Sequence, residues 1–402
     1  MRVLLVTYGT RGDVDPLVAL ALQLRTLGVD VRMCVPPDEE FAGRLAGLGI
    51  PAVPVGPPIR TLTSGSAPPS TALLARYRTA LVDAQFDALP AAVDGCDALL
   101  AVGLAQIGAR SVAEAAGIPY VYASYAAVNL PSPHHAPPPR PGWPDPQPAD
   151  NRTLWDRDAE QVNAQYGAAL NEHRAALGLS PVSNVRDHVY TDRPWLAADP
   201  ALGPWPVTTG LDVLQTGAWE RPDDRPLPPD VTAFLDAGDP PVYVGFGSIS
   251  PSPGLADRAV EAVKAEGYRV LVSRGWADLD PAGCFVVGEV NHQRLFDRVA
   301  AVVHHGGAGT MRTAARAGVP QVVAWMPVGD NPYWAGRVTA LGLGAALDGR
   351  TATTASLGAA FASVLRPGAR ARATAVGAGI RTGGARVAAV RLRELASAGR
   401  RH

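Results

Sequence analysis

Two aspartates, Asp13 and Asp15, stand close together in "VTYGTRGDVDPLVALA" (6–21). They fall where a short apolar run ends and a helical pattern begins. A carboxylate there either caps the helix or acts as a general base at the mouth of a cleft. Thr10-x-x-Asp13 before an apolar helix has the form of a capping box. The proline suggests a different division of roles. Pro favours the first helical position, and the residue before it avoids helical angles. This spacing predicts Asp15 at the N-cap and Pro16 at the first helical position. Asp13 then lies ahead of the cap on a glycine-flanked loop, released for chemistry.

A second candidate is "VVHHGGAGTMRTAARAGVPQVV" (302–323). An apolar strand runs into His304 and His305. Gly306, Gly307, Ala308, Gly309 and Thr310 follow, then a helical run to Gly318. Small residues let a phosphate approach the backbone, and a helix N-terminus offers unpaired N–H groups with partial positive charge. That charge contributes only about 0.3–1 kcal/mol in exposed settings, so several N–H bonds and a histidine must add to it. The run matches neither G-x-x-x-x-G-K-[ST] nor G-x-G-x-x-G, which weakens NTPase and dinucleotide readings. The competing reading is a tight strand–helix turn with no ligand.

Further candidates follow other apolar runs in the second half: "GFGSIS" (245–250), "SRGWADL" (273–279), "GEVNHQRLF" (288–296) and "MPVGDNPYWAGRV" (326–338). Ser248 offers a hydroxyl with glycines beside it. Asp330 and Asn331 pair a carboxylate with an amide, which suits a polyol that both donates and accepts hydrogen bonds. In isolation, Asp330-Asn331-Pro332 reads as a helix start, with Asn331 as cap and Pro332 at the first position.

The elements that position these residues are strands alternating with helices. "VLLVTY" (3–8), "VRMCV" (31–35), "CDALLAV" (96–102) and "IPYVYAS" (118–124) read as buried strands separated by helical stretches. The scheme restarts with "PVYVGFGS" (241–248), "YRVLVS" (268–273), "CFVVG" (284–288), "AAVVHH" (300–305) and "PQVVAWM" (320–326). Such alternation implies βαβ units and parallel sheets. In doubly wound sheets ligands bind outside the carboxyl ends of the strands. The stretch 203–230 is rich in Pro, Gly and Asp and reads as the domain linker. We expect an N-terminal domain over 1–215, a second over 216–385, and a last helix at 386–402.

Nine prolines crowd residues 131–148, where no helix or central strand survives. Helical patterning resumes at 151–177, so this is read as a semi-rigid loop over the first domain. His134, His135 and Trp143 within it either touch a bulky ligand or face solvent.

The 402 residues suit two domains, and 47% hydrophobic composition suffices for two cores. A net charge of −1 argues against nucleic-acid binding. The cysteines Cys34, Cys96 and Cys284 have no metal or redox spacing and are read as buried thiols in a reducing cytosol. The N-terminal apolar run is too short for a secretory signal, and no stretch approaches a membrane span. A soluble, cytoplasmic, monomeric protein is expected.

Taken together, "TRGDVDPLVALALQLRTLG", "RMCVPPD", "VYVGFGS", "HHGGAGT", "RAGVPQ" and "DNPYWAGRV" resemble the glycosyltransferases that decorate vancomycin- and teicoplanin-type glycopeptide antibiotics. These belong to the inverting, nucleotide-sugar-dependent enzymes of the GT-B fold. The resemblance runs in order along nearly the whole chain and is weakest at 55–75 and 129–185. It implies two Rossmann-like domains facing across a cleft, acceptor in the first and nucleotide sugar in the second. The helix over 386–399 would cross back to the first. It further implies a TDP- or UDP-sugar co-substrate, a glycopeptide aglycone or its glycosylated form as acceptor, and neither cofactor nor metal.

By the same resemblance Asp13 is the catalytic base, and Thr10, Arg11 and Gly12 reach toward the donor. Ser248, His305, Gly307, Ala308, Gly309 and Thr310 would hold the diphosphate. Glu289, Val290 and Asn291 would sit against base and ribose, and Asp330 and Asn331 against the sugar. Two departures stand out: relatives usually have Asp-Gln at 330–331, and a ribose-binding Glu of plant relatives falls near Thr313 here. The alternatives are a nucleotide-sugar epimerase of the same architecture and a non-catalytic sugar-nucleotide-binding partner. The proline-rich 131–148 segment is unexplained by the first, and Asp13 with an intact His-Gly turn argues against the second.

Overall fold

The structure, a computed structural model, describes residues 1–63, 70–140, 147–207 and 210–399. It divides into two compact units. Unit 1 comprises Met1–Pro137, Pro141–Arg221 and Arg381–His402; unit 2 comprises Pro138–Arg140 and Pro222–Ile380.

Unit 1 runs β1 (Arg2–Thr7), α1 (Arg11–Thr26), β2 (Asp30–Val35), α2 (Glu39–Gly47), β3 (Ala52–Pro54), α3 (Arg60–Thr63), α4 (Thr71–Val93), β4 (Ala98–Val102), α5 (Ala109–Ala115), β5 (Tyr120–Ser124), α6 (Asn151–Ala176), α7 (Val185–Tyr190), β6 (Trp195–Leu196) and β7 (Leu214–Gln215). Unit 2 continues with α8 (Pro229–Asp236), β8 (Val242–Val244), α9 (Leu255–Ala265), β9 (Val270–Ser273), β10 (Phe285–Val287), α10 (His292–Leu295), β11 (Ala301–His304), α11 (Ala308–Arg316), β12 (Gln321–Trp325), α12 (Asn331–Ala340), β13 (Gly344–Asp348), α13 (Thr354–Val364) and α14 (Pro367–Gly377). The chain then returns to unit 1 as α15 (Gly384–Gly399), which packs on α1.

Among the described residues, unit 1 holds a seven-stranded sheet in the order β3-β2-β1-β4-β5-β6-β7, and unit 2 a six-stranded sheet in the order β10-β9-β8-β11-β12-β13. Neighbouring strands are parallel in both. All-parallel sheets must be covered on both faces, which is why the central strands are continuous apolar runs rather than alternating ones. In unit 2, Val242, Val244 and Val303 pack with Leu255 of α9 and Phe361 of α13, whereas Tyr243, Leu271 and Val302 pack with Phe296 and Ala314. In unit 1, Leu4, Val6, Leu99 and Tyr122 pack with Phe86, Leu89 and Val162.

Register brings the carboxyl ends of β1 and β4 level, Thr7 opposite Val102. All turns that follow the strands therefore leave each sheet on one edge. Cys34 and Cys96 are buried, and burial pushes the Cys34 thiol up to about 12; Cys284 is only partly buried, contrary to expectation. Among the described residues no helix is long and apolar enough to cross a membrane.

A polar cluster joins α5, α6 and α7. Arg174, 4% exposed, donates to Ser111 Oγ at 2.9 Å, Glu114 Oε2 at 2.5 Å and the Ser180 carbonyl at 2.7 Å. The His188 ring lies 3.2 Å from Ser111 Oγ, and Arg110 donates to the His188 carbonyl at 2.6 Å. Burial, then Arg110 and Arg174, lower the His188 pKa to about 4. The unfolded chain takes up this proton near pH 6.5, so stability falls as pH drops from about 6.5 toward 4. This ring alone is expected to cost about 1–2 kcal/mol between pH 7 and pH 5. Urea unfolding of wild type and His188→Asn at both pH values checks this: the pH-dependent loss should be smaller in the variant.

Candidate active site

In unit 1 the chain leaves β1 through Tyr8 and Gly9 and enters α1. Thr10 is the N-cap, in extended conformation (φ −87°, ψ −170°), and its N–H donates to Asp13 Oδ2 at 2.8 Å. This corrects the expected assignment. The helix begins at Arg11, Asp13 is its third residue and belongs to the capping box, and Pro16 lies inside the helix. The proline's local preference is outweighed by long-range packing. Starting early buries Val14 fully alongside Leu17, Leu20 and Leu24, at the expense of the single i→i−4 bond that Pro16 cannot make. Asp15 is not the cap; its carboxylate pairs with Arg44 of α2, while Arg11 Nε donates to Glu40 Oε1 at 2.8 Å. Both ion pairs fasten the first turns of α1 to α2.

Two residues missed by the sequence reading hold Asp13. A Cβ added to Gly9 would overlap the Asp13 carboxyl group, so glycine is required there for space. Tyr125, just beyond β5, donates from its hydroxyl to the Asp13 carbonyl at 2.9 Å. Burial, with the charges of Asp13 and Asp15, pushes that phenol well above its ordinary pKa. Neither had a local signal: Gly9 looks like any turn glycine, and Tyr125 is 112 residues away from Asp13.

The proline-rich loop does not present its histidines equally. His134 is exposed. His135 is packed inward: its Nε2 is 2.9 Å from the Leu130 carbonyl, its own carbonyl accepts from Trp155 Nε1 at 2.9 Å, and its ring meets Trp155 and Trp205 edge-on. It latches the loop to α6. Trp143 lies outside the described residues.

In unit 2 the two adjacent histidines differ completely. His304 ends β11 and is fully buried. Its Nδ1 accepts the Gly306 N–H at 3.1 Å, so the proton sits on Nε2, which donates to Gln321 Oε1 at 2.9 Å. Burial lowers its pKa to about 4. His304 therefore holds the turn as a neutral strut. His305 Nδ1 is buried and has no hydrogen-bond partner among the described residues. Burial first, then His304, lowers its pKa to about 3.

Around His305 the turns converge. A Cβ on Gly307 would press on the His305 ring, and one on Gly247 would lie 3.4 Å from His305 Cε1, which sets the Gly247–Ser248 turn beside that ring. Gly247 in turn accepts the Trp276 N–H at 2.9 Å. Gly307 is the N-cap of α11 and supplies no side chain, so the first N–H groups of the helix, from Ala308 to Thr310, have no intrahelical partner. Gly306, at φ +99°, packs within 3.0 Å of the Asn331 carbonyl at the position its Cβ would take.

Asn331 is the first helical residue of α12, not its cap; Asp330 is the cap, and Pro332 takes the second position. Asp330 Oδ2 accepts the Trp334 indole N–H at 2.7 Å, and burial raises the carboxyl pKa. Asn331 is 4% exposed, and its Nδ2 has no hydrogen-bond partner among the described residues. The segment 289–291 is used differently. Glu289 is exposed and pairs with Arg225 at 3.3 Å, Val290 packs in the core, and Asn291 Nδ2 donates to the Asp223 and Arg225 carbonyls at 2.7 Å each. Thr313 bonds back to the Gly309 carbonyl at 2.9 Å. Among the described residues no group of three or more His, Cys, Asp or Glu side chains is placed to hold a metal ion.

Two all-parallel sheets, each with its candidates at the strand carboxyl ends, make up a GT-B architecture. The glycosyltransferase of kitacinnamycin superimposes with a TM-score of 0.73 at 20% identity, covering 98% of each chain. The spinosyn forosaminyltransferase SpnP gives 0.72 at 20% identity over 99% of each. Residues 3–130 match the glycosyltransferase family 28 N-terminal domain, and residues 275–382 the erythromycin biosynthesis protein CIII-like C-terminal domain. The chain is 53% identical over 397 residues to the vancomycin aglycone glucosyltransferase of Amycolatopsis orientalis, covering 97% of this chain and 96% of the relative. It is 47% identical over 390 residues to the dTDP-epi-vancosaminyltransferase of that organism, covering 94% and 93%. The chain belongs to this family of glycopeptide-antibiotic glycosyltransferases.

Gly9→Ala should displace the Asp13 carboxylate and break its bond to the Thr10 N–H. The expected loss is about 1–2 kcal/mol, the worth of a helix cap. Chemical denaturation measures it. In an Asp13→Ala background the same Gly9 change should cost almost nothing.

Proposed function

We propose that this enzyme transfers a hexose from a TDP- or UDP-sugar to a hydroxyl of a vancomycin-type glycopeptide aglycone, or of its glycosylated form, with inversion and without a metal. The kinship with an aglycone glucosyltransferase and a vancosaminyltransferase supports the acceptor class. The observation that carries the mechanism is the fixed Asp13 carboxylate at the strand-edge turn of unit 1.

Asp13 is the general base. The acceptor oxygen attacks the anomeric carbon from the face opposite the diphosphate. Its bond to carbon forms as the carbon–phosphate-oxygen bond breaks, and the hydroxyl proton passes to Asp13. A phenol (pKa about 10) is far weaker as an acid than an aspartic acid of about 3.9, so proton transfer must accompany attack rather than precede it. Thr10, Arg11 and Gly12 form the turn that presents the base.

His305 and the α11 N-terminus receive the departing diphosphate. The unpartnered Nδ1 suits a hydrogen bond to a phosphate oxygen, and the N–H groups of Ala308, Gly309 and Thr310 supply further donors. Ser248, which follows Gly247 beside the His305 ring, is assigned to the same group. Asp330 and Asn331 are assigned to sugar hydroxyls, where the buried Asn331 amide finds the partner it lacks. The 289–291 segment contributes to nucleoside binding through its backbone, since Val290 and Asn291 use their side chains internally.

Asp13→Asn should lower turnover about 10²–10⁴-fold, the usual worth of a positioned base. Calorimetric affinity for the nucleoside diphosphate should stay the same. His305→Ala should weaken that affinity about tenfold, the worth of one charge-assisted hydrogen bond. Near-normal turnover by Asp13→Asn would sink the base assignment. A mass-spectrometric transfer screen of several nucleotide sugars against the aglycone and its monoglucosylated form identifies the substrate pair.

A further inference from the structure

Tyr8 lies between β1 and the turn that carries Asp13, and nothing in the mechanism above uses it. It is 9% exposed. Its hydroxyl donates to the Pro57 carbonyl at 2.5 Å and touches the hydroxyl of Tyr77, from the first half of α4. Tyr77 Oη is also 3.2 Å from the Pro58 carbonyl. The same short segment is held from a third side. The carboxylate of Asp38, 6% exposed, accepts the Ile59 N–H at 2.8 Å and the Arg60 N–H at 3.1 Å. A fourth restraint is steric: Gly56 sits at φ +76°, and a Cβ there would lie 2.7 Å from Leu81 Cδ1 and 2.9 Å from Tyr8 Cε2.

Residues 56–60 are thus fastened to β1, to the loop after β2 and to α4 at once. Pro57 and Pro58 add fixed backbone angles. The segment follows β3 on the same edge of the sheet as the Asp13 turn, where ligands of doubly wound sheets bind. It is also close to the base. The Tyr8 backbone adjoins Gly9, where a Cβ would overlap the Asp13 carboxyl, and the Tyr8 side chain reaches from there to the Pro57 carbonyl. Burial raises both phenol pKa values, so the pair stays neutral and hydrogen-bonded at working pH.

A segment this strongly tied, one side chain from the base, is built as a rigid wall. We infer that the Tyr8–Tyr77 pair positions the 56–60 segment as a shelf that seats the acceptor hydroxyl at Asp13, making both tyrosines positioning residues for transfer. This rests on Asp13 acting as the base. A well-seated acceptor excludes water from the anomeric carbon. When the shelf loosens, water attacks instead, its proton passes to Asp13, and the diphosphate leaves with free sugar as the product.

The test uses the full-length enzyme with its donor and acceptor. Tyr8→Phe and Tyr77→Phe keep the rings and remove the hydroxyls. Nucleoside diphosphate release is measured with and without acceptor, and glycosylated product is counted separately. Each variant should raise the acceptor KM about 3- to 10-fold, the worth of one hydrogen bond, leave the donor KM unchanged, and lower the ratio of transfer to hydrolysis by a similar factor. The double variant should be worse than either single one but by less than the product of the two effects, because the hydroxyls share one contact and each also bonds the segment. Asp13→Asn, run alongside, should depress transfer and hydrolysis together. An unchanged transfer-to-hydrolysis ratio in both tyrosine variants, or equal rises in donor and acceptor KM, overturns the shelf. Unchanged turnover in Asp13→Asn overturns the base instead.

Discussion

One hydrogen bond, from the Thr10 N–H to Asp13 Oδ2, closes the first turn of α1 and fixes how the edge of unit 1 is built. The first N–H groups of a helix need partners that the helix cannot supply. Using Asp13 as that partner draws the carboxyl group back over Gly9 and locks it against the strand-end turn. The rest of the first turn is then committed. Arg11 and Asp15 reach α2, Val14 enters the core, and the Asp13 carbonyl receives Tyr125 from the end of β5. A carboxylate that caps is immobilised by the folding of the helix itself. Capping and general-base catalysis are thus compatible uses of one residue, because a base must be held still to be effective.

The paired histidines show how one buried proton assignment separates structure from chemistry. His304 accepts at Nδ1 and donates at Nε2, and both bonds close within the protein. Gln321, which receives one of them, donates onward to the Met311 carbonyl in the first turns of α11. That chain sets the angle at which α11 leaves the sheet, and with it the direction of its unpaired N–H groups. His305, one residue later, has left the strand and keeps a buried nitrogen without a partner among the described residues. A buried polar atom left unpaired costs roughly 1–3 kcal/mol, and the function proposed above would supply the missing bond from the diphosphate.

The parallel order of both sheets was legible in the sequence because buried central strands carry three to five consecutive apolar residues. The short strands were not. β6 and β7 span two residues each and β3 three, too few to show a period, and β13 reads Gly344-Ala-Ala-Leu-Asp348 with only one bulky residue. Asp13 and His305 were legible as candidates because they follow apolar runs directly. The start of α1 was misread because Pro16 expresses a local preference, whereas the helix start was settled by contacts with α2 and the core. Asn331 was misplaced by one position for a related reason: Trp334, one turn on, captures Asp330 and makes it the cap residue. Tyr8, Tyr77 and Tyr125 carry no sequence signal of any kind, since their importance lies in partners far along the chain.

The residues assigned to the donor in unit 2 include no lysine or arginine. Ser248, His305, the 307–310 turn, Asp330 and Asn331 offer neutral donors, a helix end and one carboxylate. Burial, then His304, disfavours the charged form of His305, and burial likewise resists ionisation of Asp330. With the roles proposed above, such a site would hold a diphosphate by oriented N–H groups rather than by opposite charge. Fixed dipoles need no reorganisation when negative charge grows on the leaving group, so their contribution rises as the bond to the sugar breaks. A cation would already bind the intact donor strongly through its two phosphates and gain proportionately less during transfer. In the function proposed above, the glycine turn and the neutral histidine would favour the developing charge over the ground state, which is the differential binding that lowers a barrier.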